Sequence, residues 1–336
     1  MGKPQDSITG PTALALQGGG AHGAFTWGVL DRLLEEPGFE IEQVSGTSSG
    51  ALNALALAQG WMDGGSEGAR ACLSELWHRV AAHTHASAWI FGSQVRSGKK
   101  AAQNLHRYFT PRQINPLGLN PVRQIAESLF DFDGLREHSP FPLHLAATRV
   151  RDGALVMFGP EQVGIDALLA STCLPQIFES VKIDGEVYWD GGWAGNPVLE
   201  PLVHRGLSSR ILAVLVQPLD RKEIPDTAAR IAERMSELGF SSAFLRELRT
   251  LALAKDALEG AMTLSWLGRR VKNLQIHLIE PGESLDAFRA RAGFNTSISF
   301  LTALRDHGRR RAEAWLGEPQ AHIVSGSSPL MQAGTA

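Results

Sequence analysis

Three short glycine-rich turns in this chain hold residue types that could do chemistry together. Gly46-Thr47-Ser48-Ser49-Gly50 fits G-x-S-x-G. A serine at a sharp strand-to-helix turn has its hydroxyl pushed into open space, and glycines two before and two after keep the turn clear of its neighbours. A helix starting there turns its positive end toward a developing anion. Gly18-Gly19-Gly20-Ala21-His22-Gly23 is the second turn. Consecutive glycines let backbone N–H groups converge on one point and hold the alkoxide of a tetrahedral intermediate, an effect of ~3–4 kcal/mol per donor. The third turn, Tyr188-Trp189-Asp190-Gly191-Gly192, has a carboxylate at its entry. The candidate chemistry is acyl transfer, with Ser48 as nucleophile. The oxyanion hole would be built from Gly18, Gly19, Gly20, Ala21, His22 and Gly23. Gly46, Thr47, Ser49 and Gly50 would shape the nucleophile elbow, and Gly191 and Gly192 the aspartate turn.

Each turn taken singly has a plainer reading. Ser48 or Ser49 could simply cap a helix, and Asp-Gly-Gly is a common turn signal. Gly18-x-Gly20-x-x-Gly23 also satisfies the dinucleotide fingerprint, with Glu40 or Glu42 in about the right place for a ribose contact. That reading makes the chain a dinucleotide-binding oxidoreductase, but it leaves Ser48 unexplained. The oxyanion reading requires such a serine at the end of the next strand. A third reading is an inactive interaction protein that keeps the fold.

Taken together, the three turns resemble the patatin-like phospholipases, a family of lipid acyl hydrolases. The stretch Ala170-Ser171-Thr172-Cys173-Leu174-Pro175-Gln176-Ile177-Phe178 is similar to the small-residue, proline-containing segment ahead of that family's aspartate. The resemblance runs roughly from Thr12 to Val203. It implies a Ser48–Asp190 dyad without histidine and hydrolysis of acyl esters in lipids through an acyl-enzyme, with no cofactor. It also implies a three-layer α/β/α fold with a mostly parallel central sheet. One departure stands out: the family often has Arg or Lys in the glycine loop where this chain has His22. Histidine could replace it only when protonated, near or below ~6.5, which bears on phospholipid preference more than on hydrolysis.

An exposed aspartate, with a pKa of ~3.9, is a poor base for a serine hydroxyl. Burial would raise that value, and Trp189 and Trp193, flanking Asp190, are candidate walls. A histidine triad would have to draw on His204, His277, His307 or His322, or on His22 from the oxyanion loop. His204 and His277 read as partly buried structural residues. No metal site is expected, because neither cysteine has a ligand at useful spacing and no H-E-x-x-H occurs.

The elements that must position these turns follow from periodicity. Thr12–Gln17, Glu42–Gly46, Leu143–Thr148, Ala154–Phe158, Val187–Asp190, Ile211–Gln217 and Leu274–Ile279 read as strands. Helices are expected over Ala21–Glu36, Ser49–Trp61, Gly68–His83, Pro121–Phe130, Ile165–Thr172, Thr227–Leu238, Ser242–Leu264 and Ser297–Leu316. Strand, glycine turn, helix, strand, sharp turn, helix is the grammar of a parallel α/β sheet. The expected organisation is a flexible N-terminus over 1–11 and a catalytic core over 12–205. The remaining strands and a C-terminal helical extension of the same domain follow over 206–320, then a disordered tail over 325–336. Residues 87–121 read as a lid or cap.

Composition limits the partners. The net charge of −3 over 336 residues gives no basis for nucleic-acid binding. Lys99-Lys100, Arg269-Arg270 and Arg309-Arg310-Arg311 read as solvated surface, with anionic lipid head groups as a lesser option. Cys72 and Cys173 make no disulfide framework and suit a reducing cytosol. Met1–Gly10 has no apolar core for a signal peptide, and Asp6 spoils a myristoylation pattern. No apolar run approaches the ~20 residues of a membrane span. The expectation is therefore a cytoplasmic protein acting on a lipid or ester substrate, peripheral at most to a membrane. Trp61-Met62, Trp89-Ile90-Phe91 and Ser265-Trp266-Leu267-Gly268 are the aromatic groups that could touch lipid. Core packing is the plainer expectation for them.

Overall fold

A computed structural model of the protein describes residues 10–95, 110–221, 223–260, 262–282, 296–318 and 323–324, with the backbone alone for 84–95, 114, 229, 233 and 323–324. The strands are β1 (Gly10–Leu16), β2 (Phe39–Thr47), β3 (Leu143–Arg149), β4 (Leu155–Phe158), β5 (Val181–Ile183), β6 (Glu186–Asp190), β7 (Arg210–Val214), β8 (Gln275–Ile279) and β9 (Ile323–Val324). The helices are α1 (Gly23–Leu33), α2 (Ser49–Val95), α3 (Pro111–Ile114), α4 (Pro121–Leu129), α5 (Phe132–His138), α6 (Ile165–Ser171), α7 (Glu200–Arg205), α8 (Ala228–Leu258), α9 (Trp266–Asn273) and α10 (Ile298–Gly317).

Side chains of a strand alternate between faces, and β1 uses both. Leu14 and Leu16 join a core built with α1, α2 and α10, whereas Ala13 and Ala15 join a second core with α7, α8 and α9. β7 divides likewise, with Leu212 and Val214 on the first side and Ile211 and Ala213 on the second. The result is an α/β/α sandwich. Its sheet runs β5-β6-β3-β2-β1-β7-β8-β9, with β4 on β3. The middle strands β3, β2, β1, β7 and β8 are parallel. Antiparallel pairing is confined to the flanks. All parallel strands end on the same side, so the turns after β1 and β2 meet there. β3 bonds β2 as far as Ala146 and β6 from Ala147, opposite Asp190. The aspartate turn therefore sits where β2 stops.

Several boundaries differ from expectation. Two helices were expected over 227–264; α8 is one helix, uninterrupted at Gly239. A lone glycine costs a helix only ~1 kcal/mol, and burial of Phe244 and Leu248 on the same helix outweighs it. α2 is kinked at Gly64 and Gly65, so the two helices read there are distinct segments of one run. Of the lid reading, 87–95 prolong α2, 110–121 hold α3 and a loop, and the rest lies outside the described residues. The same is true of the terminal segments 1–9 and 325–336.

Candidate active site

Ser48 interrupts a run of otherwise buried residues from Gln43 to Gly60. It has φ 54°, a left-handed conformation rare for a residue with a Cβ, and α2 begins immediately after it. Backbone strain of this kind, of order 1–3 kcal/mol, persists only when the surroundings over-determine it. Here the Ser48 N–H donates to the Ser171 hydroxyl at 3.0 Å, from the end of α6. A Cβ on Gly50 would stand 2.1 Å from the Leu16 carbonyl oxygen, so the elbow cannot tolerate a side chain there.

Asp190 ends β6 and is fully buried. Its N–H donates to the Cys173 carbonyl and its carbonyl accepts from the Thr148 hydroxyl, both at 2.8 Å. Oδ1 accepts from the Gly192 N–H at 2.8 Å. Burial pushes the carboxyl up to about 6, opposed by hydrogen bonding from the Ser48 hydroxyl and the Gly192 amide. Among the described residues Oδ2 has no partner of full hydrogen-bond geometry, so the Ser48 contact falls short of a closed bond. Loose nucleophile–base contacts of this kind are common without substrate. The expected tryptophan walls are not what desolvates Asp190. Trp193 is 43% exposed against Phe240, and Trp189 donates to the Ser180 hydroxyl at the surface. The backbone of Asp190 is held between β3 and the Cys173 carbonyl.

The glycine loop lies directly against the elbow. A Cβ on Gly18 would meet the Thr47 carbonyl oxygen at 2.3 Å and Ser48 Cβ at 2.6 Å. The Gly18 N–H donates to Asn196 Oδ1 at 2.7 Å, and Asn196 Nδ2 donates back to the Gly18 carbonyl at 3.1 Å. The Gly19 N–H donates to Ser49 Oγ at 3.0 Å. His22 and Gly23 spend their amides within the turn, on Gly19, Gly20 and Ala21 carbonyls. That leaves the N–H groups of Gly20 and Ala21 without a protein acceptor among the described residues. Ser45 and Thr47 hydroxyls donate to the Val198 and Gly195 carbonyls at 2.6 and 2.9 Å, fastening the segment after Asp190 to β2. Asn196 and Ser171 were not picked out by sequence reasoning. Ser171 lay within the small-residue stretch already noted, but Asn196 has no local signal.

The family model of the patatin-like phospholipases matches residues 14–203, more than half of the chain. The chain belongs to the patatin-like phospholipase family. No curated protein sequence matches it. Among solved structures, VipD from Legionella pneumophila is similar over 94% of this chain and 68% of its own, at 14% identity and a TM-score of 0.44. That likeness is too remote to bear on the site.

In this patatin-like phospholipase His22 is no substitute for a cationic loop residue at neutral pH. Burial lowers its pKa, only partly offset by the Gly19 carbonyl, which accepts from Nδ1 at 3.3 Å. Among the described residues no histidine bonds Ser48 or Asp190. His277 is buried in β8 beside Trp315, and His307 Nε2 meets the Pro281 carbonyl. His204, expected to be partly buried, is exposed, because α7 turns Pro201, Leu202 and Val203 inward instead. His322 lies outside the described residues. Trp61 and Met62 pack against the core as expected. Trp266 and Leu267 do not, since both are exposed at the start of α9. The side chains of Trp89, Ile90 and Phe91 lie outside the described residues. No helix among the described residues is long and apolar enough to cross a membrane.

Proposed function

We propose that the protein is a serine hydrolase of lipid acyl esters, in which Ser48 attacks the acyl carbonyl and Asp190 accepts its proton. The Gly20 and Ala21 N–H groups, with the first turn of α2, would hold the oxyanion. The alcohol portion leaves with the proton from Asp190. Water, deprotonated by the same carboxylate, then releases the acid and restores Ser48. The observation that supports this reading best is the pairing of a strained, accessible Ser48 with a buried carboxyl whose pKa of about 6 lets it act as base near neutrality. The dinucleotide reading of the same loop finds no such support. The Gly18 and Gly19 amides that would face a pyrophosphate are engaged by Asn196 and Ser49.

Hydrolysis of a p-nitrophenyl ester by wild type, Ser48→Ala and Asp190→Asn tests the reading. Ser48→Ala is expected to lower kcat by about a thousandfold or more, and a fluorophosphonate should label wild type but not this variant. Turnover that survives Ser48→Ala would end the proposal.

A further inference from the structure

One helix face among the described residues is neither packed nor balanced in charge. The inner side of α8 buries Phe244 and Leu248 and lays Phe240 against Gly192 and Trp193 of the aspartate turn. Its outer side exposes Ile231, Met235 and Leu238, which by their spacing share one face. Met235 is 68% exposed, and Leu253, further along that face, is 60% exposed. Between them stand Arg246 and Arg249, both exposed and neither with an acidic partner among the described residues. At 3.6 residues per turn, every acidic residue between 231 and 253 falls on the other half of the helix. The stripe is roughly 33 Å long at 1.5 Å per residue.

We propose that the outer face of α8 seats the protein on a lipid surface bearing anionic head groups. Apolar side chains of an interfacial helix enter the acyl boundary, while arginines on the same helix pair with head-group phosphates. A protein partner could cover the apolar residues alone. The two unmatched arginines set among them fit a surface that is densely negative. The proposal rests on the lipid-hydrolase reading and names where the aggregate of substrate is met. Because the inner face of α8 touches the aspartate turn, the site would lie about one helix layer, ~10 Å, from that surface.

Vesicle co-sedimentation of the Ser48→Ala protein, whose lipid is not consumed, reads the contact directly. Phosphatidylcholine vesicles with phosphatidylglycerol should bind it more strongly than phosphatidylcholine alone. The further substitutions Arg246→Glu and Arg249→Glu should weaken binding about tenfold or more, and Met235→Ser should weaken it as well. In the background that keeps Ser48, the same substitutions should leave soluble p-nitrophenyl ester turnover unchanged. Binding unaffected by charge reversal, or equal on both vesicles, would overturn the proposal. So would self-association in sedimentation velocity that these substitutions abolish, since the face would then belong to a second copy. Absence of esterase activity in the wild type, with vesicle binding retained, would count against the hydrolase reading alone.

Discussion

A carboxyl buried at a strand end beside a serine hydroxyl is costly to ionise, and Asp190 titrates near 6 accordingly. Two consequences follow at the level of this residue. The kcat/KM for a soluble ester should rise with pH through about 6, as the base loses its proton, and a flat profile from 5 to 8 would exclude Asp190 as the base. The same shift opposes stability. A folded pKa above the unfolded one means the folded state binds more protons between about 4 and 6, so stability is lost as pH rises through that window. Asp190→Asn removes the titration and should stabilise the protein by up to about 3 kcal/mol above pH 6, with the gain vanishing below pH 4. The comparison must be with the variant. Half-buried His22 and buried His144 and His307 have lowered pKa values and tilt the wild-type profile the other way. Asn196 makes its own residue-scale case. It clamps both polar groups of Gly18, so Asn196→Ala should lower kcat by roughly 10–100-fold with little change in KM, as for a lost positioning contact. Asn196→Asp keeps the acceptor for Gly18 N–H but not the donor to its carbonyl, and should recover only part of that loss. Equal kcat in all three proteins would show that the loop holds itself.

At the scale of elements, the site depends on packing beyond the stretch that matches the family. α10, outside residues 14–203, crosses α1 so closely that a Cβ on Gly28 would fall 1.9 Å from the Arg305 carbonyl oxygen. Arg70 of α2 and Arg309 of α10 both pair with Asp31 of α1 and with Glu35 just past its end, and Phe300 of α10 stacks edge-on to His22. Gly28→Ala should therefore cost about 1–3 kcal/mol, read as a lower urea midpoint at unchanged slope; no loss would mean that the crossing relaxes freely. The three glycine turns were legible in the sequence because Gly, Ser and Asp recur together at fixed offsets, and β1 and β7 because each is a short apolar run. What escaped was non-local. The partner of Asn196 is 178 residues away. The three-residue β5 is set by its pairing to β6 and by the packing of Val181 and Ile183 on the core. The break expected between Leu238 and Ser242 is absent from α8, where Phe244 is buried in the core. The exposure of Trp193 likewise depends on Phe240, which no pattern around Asp190 announces.

Across the whole molecule, the two helical layers serve different ends. One packs α1, α2 and α10 behind Ser48, and the other sets α8 beneath the aspartate turn, its outer face uncovered among the described residues. The sheet between them brings together the turn after β1, the turn after β2 and the end of β6. Those pieces emerge from the ribosome in that order, amino end first. A growing polypeptide thus exposes its serine long before the acid partner has been made, and the Asn196 latch arrives later still. Under the proposed dyad, the half-built chain would have no carboxylate to deprotonate its own hydroxyl until that last section docks. A hydrolase of that kind would stay silent throughout its own synthesis.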